Sequence, residues 1–293
     1  MIEIENKING ETLVAGIIGD PVSHTFSPQI HNTFAKYYGI NLVYLPFRVN
    51  AADLEQAVNG AFALGIQGLN VTAPHKKSVL PFLAFVDPSA ERLGAVNTLK
   101  QTSKGYFGFN TDIGGIKKTF ENNGYLPHGK TAAVIGAGGS SAAAVFAAAE
   151  MGASEILLMN RTIISAETLE KKVKKYYDVK TLTIPITDTH ILSQAQVIIQ
   201  TTSVGFGVGS GDSPVTFKGV NAFENAEFVL DLIYDPRETA FLAAARKNCP
   251  SALCVNGFST LVYQAAKSFE IFTGKKVDTD FFYNSLLKYY KSE

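Results

Sequence analysis

The chain has 293 residues, 46% hydrophobic and 18% charged, which is long enough for a large core and two domains. Lys plus Arg and Asp plus Glu balance at 26 each, which excludes the basic footprint of a general nucleic-acid binder but leaves room for a small anionic ligand held by a few local donors. No apolar run reaches membrane-spanning length, so no membrane partner is expected.

The first ten residues, MIEIENKING, are acidic and polar and lack the apolar core of a secretory signal, and a cytoplasmic location is expected. TLVAGIIGD (12–20) predicts a strand. SPQIHNTFAKYYG predicts a helix with Ser27 as its cap, Pro28 in the first turn and Gly39 as its stop. LVYLPF predicts a second strand, and DLEQAVNGAFALG an amphipathic helix with Leu54, Ala57, Val58, Ala61 and Phe62 on one face. IQGLNVT predicts a third strand, which must end within GLNVTAPHKK because Pro74 has no N–H to continue a ladder. Asn70, Thr72 and Lys76 then put an amide, a hydroxyl and an ammonium group at a strand end, where open α/β sheets bind ligands. A polar loop that merely closes a strand fits the same residues. AVNTLK and YFGFN predict two short strands joined by the turn QTSKG.

A helix beginning near Thr111 marks a boundary, since the alternation starts afresh after it. KTAAVIG, EILLMN, a segment near Leu182, AQVIIQ, EFVLDLI and ALCVNG predict strands. SSAAAVFAAAEMG, residues 166–177 and ETAFLAAARKN predict helices among them, and STLVYQAAKSFEIFTG and DTDFFYNSLLKYYKS predict two closing helices. The repeated alternation predicts an α/β protein with parallel sheets covered by helices. SVGFGVGSGDSP (203–214) is expected to be a flexible loop. Cys249 and Cys254 have no partner cluster, so neither a zinc site nor a disulfide framework is expected, and a reducing compartment fits. His31, His75, His128 and His190 show no metal spacing, and no metal is expected.

KTAAVIGAGGSSAAAVFAAAEMGASEILLMNRT is the most interpretable stretch. A strand runs into Gly136, Gly138 and Gly139 and a helix follows at once. Gly136 allows a tight turn, Gly138 lets the backbone approach a pyrophosphate, and the helix N-terminus offers unpaired N–H groups to the phosphates. Ser141 takes the place of the third glycine and is still small enough for close helix–strand packing. At the end of the next strand, where an acidic residue would hold a free ribose 2′-hydroxyl, stand Asn160, Arg161 and Thr162. An arginine and a hydroxyl suit a 2′-phosphate, so NADP(H) is favoured over NAD(H).

The blocks GDPVSHTFSPQIHN, NVTAPHK, GAVNTL, Asn110-Thr111-Asp112, GAGGS, NRT, DLIYDP and YQAAKSF occur in this order, from about Gly16 to Gln264. Together they resemble the shikimate dehydrogenase family. The resemblance implies a substrate-binding α/β domain at 1–112, a Rossmann NADP-binding domain at 113–257 and C-terminal helices at 258–293 that return to the first domain. It implies reversible hydride transfer between NADPH and the ketone of 3-dehydroshikimate, giving shikimate, on the route to aromatic amino acids. It also implies a small-molecule enzyme working as a monomer or homodimer.

Residue by residue, the resemblance makes Lys76 and Asp112 the catalytic pair, an ammonium group able to deliver a proton to the forming alkoxide and a carboxylate that orients it. Thr72, Asn97 and Gln264 match positions that hold the substrate's hydroxyls. Thr25, Ser27 and Tyr234 match those that hold its carboxylate. Cofactor contacts are implied for Gly136, Ala137, Gly138, Gly139, Ser140, Asn160, Arg161, Thr162, Thr201, Val204 and Gly257. His24 and Asn70 are expected to brace loops, and Lys77 to be solvated.

Four positions depart from the usual pattern: Thr25 for Ser, Ser165 for a second arginine, Gln200 for Asn and Phe206 for Met. They keep a quinate/shikimate dehydrogenase of dual specificity, using NAD or NADP, as an alternative. A non-catalytic ligand-sensing regulator on the same fold is the alternative of another class, but it would be expected to lack Lys76 or Asp112. Tyr263 and Lys267 have the Tyr-x-x-x-Lys spacing of short-chain dehydrogenases, although that family places its glycine turn near the N-terminus; one helix face explains the spacing.

Overall fold

The computed structural model describes residues 8–207, 211–216 and 221–292. The chain forms two compact units, Met1–Thr111 with Val262–Glu293, and Asp112–Leu261.

In the first unit the order is β1 (Leu13–Gly19), α1 (Ser27–Tyr38), β2 (Leu42–Arg48), α2 (Leu54–Ala63), β3 (Gly68–Val71), β4 (Phe85–Val86), α3 (Pro88–Leu93), β5 (Thr98–Thr102) and β6 (Gly105–Phe109). The sheet runs β2-β1-β3-β5-β6-β4. β1 is parallel to β2 and β3, but β5 is antiparallel to both β3 and β6. The expected parallel sheet is therefore parallel at β2-β1-β3 and mixed beyond it. Between β5 and β6 the cause is local: only residues 103–104 join them, too few for the crossover that parallel strands need.

α1 ends as predicted, with Gly39 in the left-handed region at φ 64°. Its start differs. Phe26 is the cap residue and Ser27 is the first helical residue, with no side-chain cap. The Thr25 hydroxyl instead accepts the Ser27 N–H at 3.3 Å. α3 is an element that the sequence pattern does not predict, because its signals sit beside an apolar run. Asp87 accepts the Ser89 N–H at 2.9 Å, Pro88 occupies the first turn, and Gly94 closes the helix at φ 65°.

The second unit comprises α4 (Asp112–Asn122), β7 (Thr131–Ile135), α5 (Gly139–Glu150), β8 (Glu155–Asn160), α6 (Ile163–Lys174), β9 (Lys180–Pro185), β10 (Val197–Gln200), β11 (Phe228–Asp231), α7 (Ala240–Asn248) and β12 (Leu253–Val255). All its strands are parallel, in the order β12-β11-β10-β7-β8-β9. Counted from β7 this is the doubly wound order, which reverses between β7 and β10. α5 buries every residue from Ser141 to Ala148, and its run of alanines lets it lie close on the sheet.

α8 (Phe258–Thr273) begins in the second unit and continues in the first, where α9 (Thr279–Ser292) follows. Phe282 of α9 packs edge-on against Phe34 of α1, ring centroids 4.7 Å apart. Phe272 of α8 lies where a Cβ on Gly68 would be, so β3 accepts this helix only with glycine there. Part of the expected flexible loop at 203–214, residues 208–210, lies outside the described residues. Among the described residues no helix is long and apolar enough to cross a membrane, and no group of three or more His, Cys, Asp or Glu could hold a metal ion.

Candidate active site

The first unit gathers polar groups at the ends of β3 and β5. β3 stops at Val71, and the chain turns through Thr72 and the cis Ala73–Pro74 bond. The turn is pinned on both sides: Thr72 N–H donates to Ile18 at 3.0 Å, and Asp20 N–H donates to Ala73 at 3.0 Å. His75 is fully buried, with Nε2 2.7 Å from the Val49 carbonyl. That anchor leaves Lys76 half-buried and Lys77 exposed. The Lys76 carbonyl accepts the Val96 N–H at 2.8 Å, which ties the lysine to the residue before Asn97.

Asn97 is buried. Its Oδ1 accepts the Thr111 N–H at 2.8 Å, which can only donate, so its Nδ2 must face the other way. Nδ2 donates to Thr111 Oγ1 at 2.9 Å and lies 3.4 Å from Gln264 Oε1. Thr111 Oγ1 is also 3.3 Å from Gln264 Oε1. Asn97, Thr111 and Gln264 are thus brought together, from β5's start, β6's end and α8. Thr111 has no assigned role in the sequence reading, although it lies in the quoted Asn-Thr-Asp block. Asp112 follows it directly as the first residue of α4 and is buried.

Thr25 and Ser27 lie at the start of α1, Ser27 buried and Thr25 half-buried. Asn70, expected to brace a loop, instead joins β3 to β2, β5 and α8 from the middle of a buried network with Tyr44, Thr98 and Ser268. His24 is exposed. Tyr263 is buried, while the Lys267 ammonium group pairs with Glu270 at 3.2 Å, so the Tyr-x-x-x-Lys spacing carries no joint site.

In the second unit the glycine turn sits at the reversal of strand order. Gly136 has φ 119°, and a Cβ there would lie 2.6 Å from Thr201 Oγ1 and 2.8 Å from Ser141 Oγ, so only glycine fits. Thr201 donates to the Ile135 carbonyl at 2.7 Å. Ser141 Oγ therefore donates to Thr201 Oγ1, at 2.6 Å, while accepting the Gly138 N–H at 2.9 Å. This clasp joins β7, β10 and the first turn of α5. Over Gly138 the space is open: a Cβ would meet nothing nearer than Ser141 Oγ at 3.9 Å. Ala137, Gly139 and Ser140 are not fully buried around it.

At the end of β8, Asn160 Nδ2 donates to the Thr162 carbonyl at 2.8 Å; Arg161 and Thr162 of this loop are exposed, as is Ser165 in the first turn of α6. After β10, the buried Gln200 amide donates to the carbonyls of Thr202 and Val204, which fixes the loop carrying Val204. Phe206 meets the Tyr234 ring nearly at right angles, centroids 6.3 Å apart. Gly257 packs so closely on Leu232 that a Cβ would enter its backbone. Asp231 is buried at the end of β11, where desolvation pushes its pKa up to about 6 against hydrogen bonds from Thr239 and the Ile233 N–H.

Three family models match consecutive parts of the chain: the shikimate dehydrogenase substrate binding domain at residues 17–99, shikimate / quinate 5-dehydrogenase at 119–208, and the shikimate 5'-dehydrogenase C-terminal domain at 257–287. A shikimate dehydrogenase (NADP(+)) of Caldanaerobacter subterraneus subsp. tengcongensis is 41% identical over 280 residues, 96% of this chain and 98% of its own. The crystal structure of shikimate 5-dehydrogenase from Listeria monocytogenes, in complex with shikimate and NAD, aligns with a TM-score of 0.85 at 30% identity, covering 97% of this chain and 99% of that one. The shikimate 5-dehydrogenase of Thermus thermophilus, in complex with NADP(H) and shikimate, aligns with a TM-score of 0.82 at 28% identity, covering 94% and 99%. With the doubly wound sheet, the glycine turn and the ordered motif blocks, these similarities lead to one conclusion: the chain belongs to the shikimate dehydrogenase family.

Proposed function

We propose that this protein is an NADP-dependent shikimate dehydrogenase, reducing the ketone of 3-dehydroshikimate reversibly to shikimate. The observation that carries the reading is the convergence of Asn97, Thr111 and Gln264 within 3.4 Å, next to the strand end that supplies Lys76. Buried amides and hydroxyls of this kind suit a ring bearing several hydroxyls. The names of the relatives support shikimate as substrate and NADP(H) as cofactor.

The residues present fit that cofactor. Gly136, Ala137, Gly138, Gly139 and Ser140 form the turn into the N-terminus of α5, open over Gly138, where a pyrophosphate would sit. Arg161 and Thr162, with Asn160 shaping their loop, suit the 2′-phosphate. We assign Thr201, Val204 and Gly257 to the nicotinamide end. When bound, the nicotinamide exchanges the hydride. The protein's own part is to manage the proton: Lys76 donates it to the alkoxide oxygen on reduction and takes it back on oxidation, and Asp112 orients the lysine. Thr72, Asn97 and Gln264 hold the ring hydroxyls, and Thr25, Ser27 and Tyr234 the carboxylate. In this reading residues 1–112 form the substrate domain, 113–257 the cofactor domain, and 258–293 complete the first. The buried free thiols of Cys249 and Cys254 support a reducing, cytoplasmic setting.

The shikimate / quinate description of the central family model keeps quinate as the alternative substrate, and Thr25, at the carboxylate end, could exclude it or admit it. Steady-state oxidation of shikimate and of quinate, each with NADP and with NAD, tests the reading. Shikimate with NADP is expected to have the highest kcat/KM. Quinate ahead of shikimate would replace the substrate assignment, and NAD ahead of NADP would replace the cofactor.

A further inference from the structure

Tyr44, on β2, has none of its surface exposed, and α1 grips it from one side. Asn32 accepts the Tyr44 N–H at 2.9 Å and donates to the Tyr44 carbonyl at 3.0 Å. His31, one residue before Asn32 on α1, stacks on the Tyr44 ring. From the other side, the Tyr44 hydroxyl lies 2.7 Å from Asn70 Oδ1.

The direction of that last bond follows from Asn70's other partners. Asn70 Nδ2 is 3.1 Å from the Asn97 carbonyl, which can only accept. Oδ1 therefore faces Tyr44, and the phenol donates. Asn70 Nδ2 also lies 3.2 Å from Thr98 Oγ1 and 2.9 Å from Ser268 Oγ, its two hydrogens shared among the three acceptors. Ser268 Oγ lies 2.8 Å from Thr98 Oγ1 and 3.1 Å from Thr111 Oγ1, and it is 3.0 Å from the Gln264 carbonyl. A continuous buried chain thus runs from the helix carrying Ser27, through Tyr44 and Asn70, to Asn97, Thr111 and Gln264. A paired network in a low-dielectric interior holds its members in a single arrangement.

We propose that Tyr44 is a positioning residue for the substrate site. Without touching substrate, it ties α1, held by its backbone bonds to Asn32, to Asn70, held by its hydroxyl, so that the groups for the substrate's carboxylate and those for its ring hydroxyls are set as one unit. The inference rests on the shikimate reading above.

Tyr44→Phe is the direct test. It removes one oxygen and keeps the ring, the His31 stack and the backbone bonds to Asn32. KM for shikimate is expected to rise roughly five- to fiftyfold, the range for a lost bond that strands a buried acceptor. KM for NADP should be unchanged. Amide hydrogen exchange on the unliganded protein gives a readout independent of substrate. The Thr111 N–H, held by Asn97 Oδ1, should exchange faster in the variant, while amides elsewhere in the first sheet keep their rates. Absence of shikimate turnover in the unmodified protein would sink the substrate reading and leave exchange at Thr111 to decide this one. Unchanged exchange at Thr111, or an increase spread evenly through the sheet, overturns the proposal.

Discussion

The imidazole of His31 lies flat on the Tyr44 ring, centroids 4.1 Å apart and planes 3° from parallel. Phe34, Phe269 and Phe272 surround it, and neither ring nitrogen has a hydrogen-bond partner. Burial lowers its pKa from 6.5 to about 3. The nearest titratable ring, Tyr44, is itself pushed well above its ordinary value by burial and stays neutral. Between pH 3 and 6.5 the unfolded chain binds the proton that folded His31 refuses. The protein is therefore stable with respect to this group above 6.5 and loses stability as pH falls toward 3. His31→Phe should flatten that loss by up to about 1.4 kcal/mol per pH unit in this window. Urea unfolding at pH 4, 5 and 7 measures it, and parallel pH profiles for the two proteins would contradict it.

Lys76→Ala should cut turnover by about a hundred- to ten-thousandfold, the range for a positioned acid/base. Shikimate binding should largely survive, since Thr25, Ser27, Asn97 and Gln264 act independently of the ammonium group. Single-turnover rates with a separate binding titration distinguish the two effects. Near-normal turnover would remove Lys76 from the chemistry and favour a solvated lysine.

Arg161→Ala should weaken NADP about ten- to a hundredfold, as for a lost charge-assisted hydrogen bond. NAD affinity should barely change. Fluorescence titration with both cofactors provides the comparison. Equal losses would mean that Arg161 serves the loop or the adenine rather than the phosphate.

Gly136→Ala tests the clasp beneath the glycine turn. The new methyl group would enter the space of Thr201 Oγ1 and Ser141 Oγ, on a backbone of φ 119°. A strained backbone of this kind costs about 1–3 kcal/mol. NADP and NAD should both weaken, to the same degree, with a lowered melting temperature. Undiminished cofactor binding would show that the turn tolerates a side chain.

Much of the second unit is legible in the sequence because its signals are local. A strand, a glycine turn and a helix lie within a few residues of each other, and their spacing is the motif. Gly39 likewise announces the end of α1. Strand direction in the first sheet is less legible, because pairing of β5 with β3 depends on partners far apart in sequence. α3 escapes because Asp87 and Pro88 follow the apolar run LPFLAFV. Tyr44, Thr98 and Ser268 are invisible for a different reason. Each supplies an ordinary polar atom from its own element, and only the fold shows that these atoms converge. Ser27 reads as a cap because a serine before a proline has the same local signature whether the helix starts after it or, as here, with it.

The two-segment make-up of the first unit also has a consequence in time. The second unit is one uninterrupted stretch, Asp112–Leu261, and has all its strands once that stretch has left the ribosome. The first unit must wait. Until Ser268 and Phe272 are synthesised, Asn70 and Thr98 each lack one of their partners and the bare backbone at Gly68 has no helix to receive. The half of the protein that begins first is completed last. A chain cut short before α8 would carry a finished dinucleotide-binding fold beside an open sheet.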